Sequence, residues 1–312
     1  EGERAAQGGE RDPKKSRRVF RQGRQVKYAF IRSQQGCYPV RRLCAVLEVS
    51  PSAYYGWLRQ PLSARARADQ SLGQVLQRLH YSYRQAYGTR RLQRALRDEG
   101  LRVGRGRIRR LKRQLNLWTR RRRRAWRHHQ AHPRPVIKAN RLNRQFAAAA
   151  PNRVWTADVT SLWTRQGWLH LAVVLDLYAR RVVGWAFDRR AGQELTLAAL
   201  NQALRRRRPA PGLLHHSDRG PHYTARRYQN RLRQRRIVSS MSRPGDCYDN
   251  APIESFFSTL KSEFAHHRRF LTRQQAREEV SDYIERFYNR IRMHSTLGYR
   301  SPCEYETMAV LS

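Results

Sequence analysis

At 312 residues the chain can bury a sizeable core and, at about 100 to 200 residues per domain, form two or three domains. Its 65 Lys and Arg against 23 Asp and Glu give a net charge of +42, which calls for a phosphate-rich polyanion, usually nucleic acid, as partner. No run reaches the roughly 18 uncharged apolar residues of a membrane span, and the charged start EGERAAQGGERDPKK has no signal-peptide apolar region, so neither a span nor a signal peptide is expected and the cytoplasm is the expected compartment.

Only six of the cations are lysines, an Arg excess that suits bidentate phosphate contacts and equally fits Arg-rich codon usage. Cys37, Cys44, Cys247 and Cys303 form no CxxC pair and are expected as reduced thiols, without disulfides or a zinc ribbon.

Residues 1–36, polar and aperiodic, read as a flexible basic arm. Residues 37–65 contain YPVRRLCAVLEVSPSAYYGWLRQ, two short helical patterns of which the second has Ser50 at its N-cap and Pro51 at its first helical position, a helix-turn-helix-like segment. Residues 66–118 give a second one. Within YGTRRLQRALRDEGLRVGRGRIRRLKRQLNL, Gly100 ends one helix, and the next sets Ile108, Leu111 and Leu115 on one face against arginines, including Arg105, Arg107 and Arg110, on the other. Each pair reads either as a small bundle with a solvated basic face or as a DNA reader whose second helix enters the major groove. Residues 119–150, with RRRRR at 120–124, read as a basic linker, because His128, His129 and His132 lack a second ligand pair at zinc-site spacing.

From 151 the pattern changes. NRVWTADVTSLWT, WLHLAVVLDLY and RRVVGWAFD are β-rich runs with short turns between them; QELTLAALNQALRRRR is a helix, GLLHHSD a short strand, TARRYQNRLRQRR a helix and IVSSMS a strand. Three meandering strands followed by alternating helix and strand describe an α/β fold, a mixed sheet with helices packed against it, over 151–265. Residues 266–312 form a C-terminal helical segment, with one helix in RQQAREEVSDYIERFYNRIR and a turn-rich end.

Acid is scarce, so its placement is informative. No Asp or Glu occurs from 100 to 157, and the first afterwards, Asp158, lies inside an apolar strand, where a charge is costly unless paired or metal-bound. Asp218 is similarly isolated at the close of LLHHSD, and both are expected where strands end, the usual place for functional groups in open α/β sheets. Glu254 opens a helix with Asn250 as N-cap and Pro252 in its first turn; helical spacing puts Ala251, Glu254, Ser258 and Lys261 on one face and Phe257, Leu260 and Phe264 in the core. Favourable charge at a helix N-terminus, worth about 0.3 to 1 kcal/mol, explains Glu254 cheaply but not Asp158 or Asp218. Three carboxylates from two strands and a helix can instead ligate two Mg²⁺ ions, which stabilise the attacking and leaving oxygens of a phosphoryl displacement.

These residues carry a resemblance. Asp158, Asp218 and Glu254, with 35 residues between the last two, resemble the DDE triad of transposases and retroviral-type integrases. WTADVTSLW, HHSDRGPHYTA, SRPGDCYDNAPIESFFSTLKSE and FYNRIRMHSTLGYRSPCEYE resemble the downstream-frame product (OrfB) of bacterial insertion sequences of the insertion-sequence-three family, from about Tyr87 to Tyr305. The resemblance implies an RNase H-like catalytic domain holding two Mg²⁺ or Mn²⁺ ions through Asp158, Asp218 and Glu254, in which activated water cuts DNA at the element end and the freed 3′-OH attacks another strand. It makes Lys261 a DNA-contacting lysine, with Arg105, Arg107, Arg110 and Arg290 as further DNA-binding candidates and Asn250 and His216 as neighbours supporting the triad. It also implies double-stranded DNA, both element terminal repeats and target, as partner, a homo-oligomer on paired ends in the bacterial nucleoid, and fusion by frameshifting to an upstream-frame OrfA protein, which a basic start without Met fits. Pro221-His222 departs from the more usual Ser-Gln of the second motif.

A transposase is therefore the expected function. A catalytically silent DNA-binding protein, whether repressor or decayed copy, is opposed by the intact carboxylates. An RNase H-type nuclease leaves the upstream helical pairs without a purpose.

Overall fold

The computed structural model describes residues 23–59, 62–120, 138–243 and 247–311. The arm through residue 22, the 121–137 stretch with His128, His129 and His132, and Asp246 lie outside them. The chain divides into two units, 1–75 and 76–312.

In the first unit, helix α1 (Arg24–Gln34) corrects the expectation of a flexible arm extending to residue 36. Tyr28 and Ile31, one turn apart, are buried with Cys44 of α2 (Val40–Val46), Leu47, and Tyr54 of α3 (Pro51–Arg59). An apolar pair at this spacing is what tertiary burial needs to hold so short a helix. Tyr54 donates its hydroxyl to Gln35 Oε1 at 2.9 Å, and Lys27 Nζ donates to the Leu47 carbonyl at 2.9 Å. The expected α2–α3 pair is present and Pro51 opens α3. Helix α4 (Ala64–Ser82) follows and runs from the first unit into the second; it lies in the helical segment expected over 66–118, where only the later helices were marked.

In the second unit, α5 (Thr89–Asp98) and α6 (Arg105–Gln114) bracket Gly100, whose φ of +81° is the left-handed geometry that ends α5. Leu92, Ala95, Leu96, Ile108 and Leu111 are buried between them. This pair is fixed to the C-terminal segment. Tyr87 donates to the Ile291 carbonyl at 3.0 Å and accepts from Met293 N at 2.8 Å, while Arg84 pairs with Asp282 at 2.5 Å and lies over the Phe287 ring.

The sheet comprises β1 (Val154–Thr164), β2 (Gly167–Asp176), β3 (Arg181–Asp188), β4 (Leu214–Ser217) and β5 (Val238–Met241) in the order β3-β2-β1-β4-β5. β1, β2 and β3 are antiparallel; β4 and β5 continue the sheet in parallel. This is the mixed sheet expected, three antiparallel strands continued by two parallel ones. One face carries Trp155, Ala157, Ala172 and Val174 against α7 (Gln193–Arg207) and Tyr223, Tyr228 and Leu232 of α8 (Pro221–Thr224) and α9 (Arg226–Gln234). The other is covered by α10 (Ala251–Glu263) and α11 (Arg273–Asp282).

α7 approaches β3 closely at Gly184, where an added Cβ would stand 2.4 Å from the Ala199 carbonyl oxygen and 2.7 Å from Ala203 Cβ. Gly184→Val is therefore expected to destabilise the fold by about 1 to 3 kcal/mol or more through overpacking; an unchanged melting temperature would contradict this packing.

Two expectations for the C-terminus are corrected. The single helix foreseen over 273–292 becomes a π-helix at Tyr283–Tyr288, whose extra residue per turn turns Tyr283, Ile284, Phe287 and Tyr288 all inward. Tyr283 stacks on Phe264 and Tyr288 meets Phe256 edge to face. The turn-rich end contains α12 (Pro302–Leu311), opened by a capping box in which Glu304 N donates to Ser301 Oγ at 3.3 Å and Ser301 N to Glu304 Oε2 at 2.8 Å.

Candidate active site

The parallel β1–β4 ladder pairs Ala157 with Ser217. The next residues in sequence are Asp158, still within β1, and Asp218, one past the end of β4, so their backbones stand side by side where the ladder stops. Asp218 follows the end of β4 as expected; Asp158 lies within β1, at the level where β4 stops, rather than at a strand end. Because Trp155 and Ala157 face α7, alternation turns Thr156 and Asp158 toward α10, the helix that bears Glu254 in its first turn.

Asn250 occupies the N-cap position of α10 but makes no capping bond. Its side chain instead accepts from the Thr156 hydroxyl and donates to the Ala157 carbonyl at 3.5 Å, which ties the start of α10 to β1 one residue from Asp158. His216 is buried and bonded through both ring nitrogens, to Ser240 Oγ at 2.9 Å and Ser242 Oγ at 3.1 Å, so it fastens β4 to β5; burial pushes its pKa down to about 4, a neutral imidazole. Asp249 is fully buried. Desolvation opposes its charge, but Arg243 and Arg144 bond it and hold its carboxyl down at about 2, and Asn140 Nδ2 donates to it at 2.8 Å. Residues 138–144, expected within a solvated linker, are thus docked beside the entry to α10, with Leu142 buried.

Asp158 feels both of the other carboxylates. Burial first, then the charge of Asp218 with a contribution from Glu254, pushes the Asp158 carboxyl up to about 7, against the Val159 amide at 2.7 Å and the Lys261 ammonium, which favour its ionised form. The Gly220 amide donates to Asp218 Oδ1 at 2.9 Å, and a Cβ on Gly220 would stand 2.9 Å from that oxygen and 2.8 Å from His222 Cε1, so the imidazole packs beside Asp218. Among the described residues no three His, Cys, Asp or Glu side chains already form a ligand cluster. The residues fit a hard divalent cation on two counts: an all-oxygen donor set, and mutual repulsion that a cation relieves.

Of the DNA-contact candidates, Lys261 alone shares a helix with a triad carboxylate, and its charge is felt at Asp158. Arg105 is exposed on α6, Arg107 and Arg110 are half-buried there, and Arg290 is exposed and pairs with Glu285 at 3.6 Å. Sequence reading noted Asp249 and His222 but gave neither a role, and it did not foresee the pairing of Asp249 with Arg243 and Arg144. Cys37, Cys44 and Cys303 are free thiols, and among the described residues no helix is long and apolar enough to cross a membrane.

Comparison with known proteins agrees with this architecture. Residues 148–247 and 254–310 each match an integrase core domain, and residues 67–125 match an HTH-like domain. The matches define a protein with an integrase core and an HTH-like segment. The insertion element IS600 uncharacterized 31 kDa protein of Shigella sonnei is 44% identical over 84% of this chain and 97% of its own length. Transposase InsF for insertion sequence IS3, from Escherichia coli, is 37% identical over 90% of this chain and 98% of its own. The solved HTLV-2 integrase catalytic core domain in complex with magnesium (trimeric form) shares 16% identity at a TM-score of 0.41, over 51% of this chain and 99% of that one. The chain belongs to the IS3 family of insertion-sequence transposases.

Proposed function

We propose that this transposase cleaves and joins DNA strands through Asp158, Asp218 and Glu254, which hold two Mg²⁺ or Mn²⁺ ions. The observation that supports this most is the Ala157–Ser217 register, after which Asp158 and Asp218 follow at one end of the β1–β4 ladder, with the Glu254 helix packed against β1. When bound, the cations supply Lewis-acid stabilisation of the attacking and leaving oxygens and lower the pKa of water. The protein's own groups do the rest. Asn250 fixes the start of α10 against β1, His216 fixes β4 against β5, the Gly220 amide orients Asp218, and Lys261 offers a cation for a phosphate next to the carboxylates.

Duplex DNA, as terminal repeats and target, is the substrate, bound by two copies at paired ends and, on the α6 face, by Arg105, Arg107 and Arg110, with Arg290 on the C-terminal segment. An upstream-frame protein fused or bound to the chain completes the recognition of the repeats. Binding should weaken with salt at a log–log slope of about −0.9 per phosphate contacted; a flat response would contradict the role assigned to the charge. A strand-transfer assay with Mg²⁺ and the DNA flanking the gene tests the catalytic assignment. Joined product from the wild type and none from Glu254→Gln supports it, whereas joining by both removes Glu254 from the site, and binding without joining in either, with the upstream-frame protein added, supports a silent DNA-binding protein.

A further inference from the structure

We infer that a groove at the end of the β1–β2 hairpin takes single-stranded DNA, with unstacked bases resting on Trp163 and Trp168. The inference rests on the proposed DNA strand chemistry and adds a site to it. Trp163 and Trp168 are register partners at the end of the β1–β2 hairpin, with ring centroids 4.9 Å apart and edge to face, and they are 61% and 52% exposed. Both line a groove of about 570 Å³ together with Arg165, Lys261, Arg269 and Phe270, a size within the roughly 300 to 1,000 Å³ of pockets that hold small aromatic ligands.

Three features identify the occupant. The first is location. Lys261 lines the groove two turns along α10 from Glu254, and Trp163 lies five residues along β1 from Asp158, so the groove sits at the hairpin end of the two elements that carry those carboxylates. The second is charge: the lining holds Arg165, Lys261, Arg268 and Arg269, and no acidic side chain belongs to it among the described residues. The third is the aromatic surface. A cross-strand Trp pair can steady a hairpin by about 0.5 to 1.5 kcal/mol, but that role is met by rings facing each other and does not require more than half of each to face water. Cations tracking a backbone with exposed indoles between them are the recurring means of holding single strands, because every base has a π-face and stacking is worth about 1 to 3 kcal/mol per base.

A duplex keeps its bases paired and offers none to the indoles. The strand that fits is one whose bases have left the stack, so the groove would hold a frayed end. Arg268 is partly committed, since it pairs with Glu279 at 3.2 Å, whereas Arg269 is exposed on the loop that forms the groove's far wall.

The test is binding of the full chain to a labelled oligothymidylate and to a duplex of equal length, at a salt concentration that suppresses non-specific contacts. Trp163→Ala/Trp168→Ala is expected to lose roughly tenfold or more in affinity for the single strand, with duplex affinity and melting temperature close to wild type. Trp163→Phe/Trp168→Phe should keep most of the binding, and Arg269→Glu, an exposed change that leaves the hairpin intact, should weaken it. Single-strand affinity unchanged in the Ala pair, or a parallel loss on single strand and duplex, overturns the inference, as does a wild type that does not bind the oligothymidylate. The readout involves no strand transfer, so its failure is distinct from failure of the carboxylate assignment, which the Glu254→Gln assay reports.

Discussion

Asp158→Asn and Asp218→Asn are each expected to reduce strand transfer by at least about 10³-fold while leaving duplex affinity within a factor of two. The magnitude follows from removing an anionic group whose work is done at the reacting phosphate: loss of even one preorganised neutral donor costs about 10² to 10³ in rate. The near-constancy of binding follows from the charge distribution, since 65 basic side chains carry DNA affinity and deleting one acid removes no phosphate contact. Combining the two substitutions should cost little more than either alone, because groups that act as one unit are non-additive. Asp158→Asn also relieves repulsion with Asp218 and Glu254, so its melting temperature is expected to be unchanged or higher. A rise in stability with loss of transfer would separate a catalytic role from a structural one; equal loss of both would not fit this site.

The largest structural effect is expected at Arg292. Its guanidinium is bonded in two-pronged fashion to Glu263 at 2.7 and 2.8 Å, both side chains are under 10% exposed, and Arg91 of α5 stands 3.6 Å from the same carboxylate. Burial works against the charge on Arg292, and the bonds and charge of Glu263 more than offset it. Arg292→Met leaves Glu263 buried without its main partner, at a cost of about 3 to 5 kcal/mol. Glu263→Leu/Arg292→Met should recover most of that, since two apolar groups of similar volume replace a pair that had to be desolvated. Denaturant unfolding of the three proteins checks this; a double variant as unstable as the single would mean the pair is needed for more than mutual neutralisation. Glu263 closes the helix that Glu254 opens, so the pair holds the far end of the element that carries the third carboxylate.

Much of this site is legible in the sequence because acid is so rare. Against a background of arginine, Asp158 inside VWTADVT and Asp218 at the end of LLHHSD stand out, and the alternation of Trp155, Ala157 and Val159 already assigns Asp158 to the opposite face. The antiparallel run of β1, β2 and β3 is equally plain from three β-rich runs joined by short turns. What stayed hidden depends on partners far apart in the chain. Asp249 looks like helix-capping charge until Asn140, Arg144 and Arg243 are folded onto it, and Glu263 and Arg292, 29 residues apart, read separately as a helix end and one more arginine. Other misses had signals. Leu72, Leu76 and Leu79 mark the buried face of α4, and Ser301-Pro302-Cys303-Glu304 spells the capping box of α12. The π-helix at Tyr283–Tyr288 had none, because its period differs from an α-helix only over one turn and is set by the aromatic packing against Phe256 and Phe264.

That Asp158, Asp218 and Glu254 form one divalent-cation site is tested most directly by titrating Mn²⁺ into the DNA-bound chain and counting bound ions by electron paramagnetic resonance. Two ions per chain in the wild type, with at least one lost in each of Asp158→Asn, Asp218→Asn and Glu254→Gln, is the expected result. The same number of ions, bound equally well by all four proteins, would contradict it.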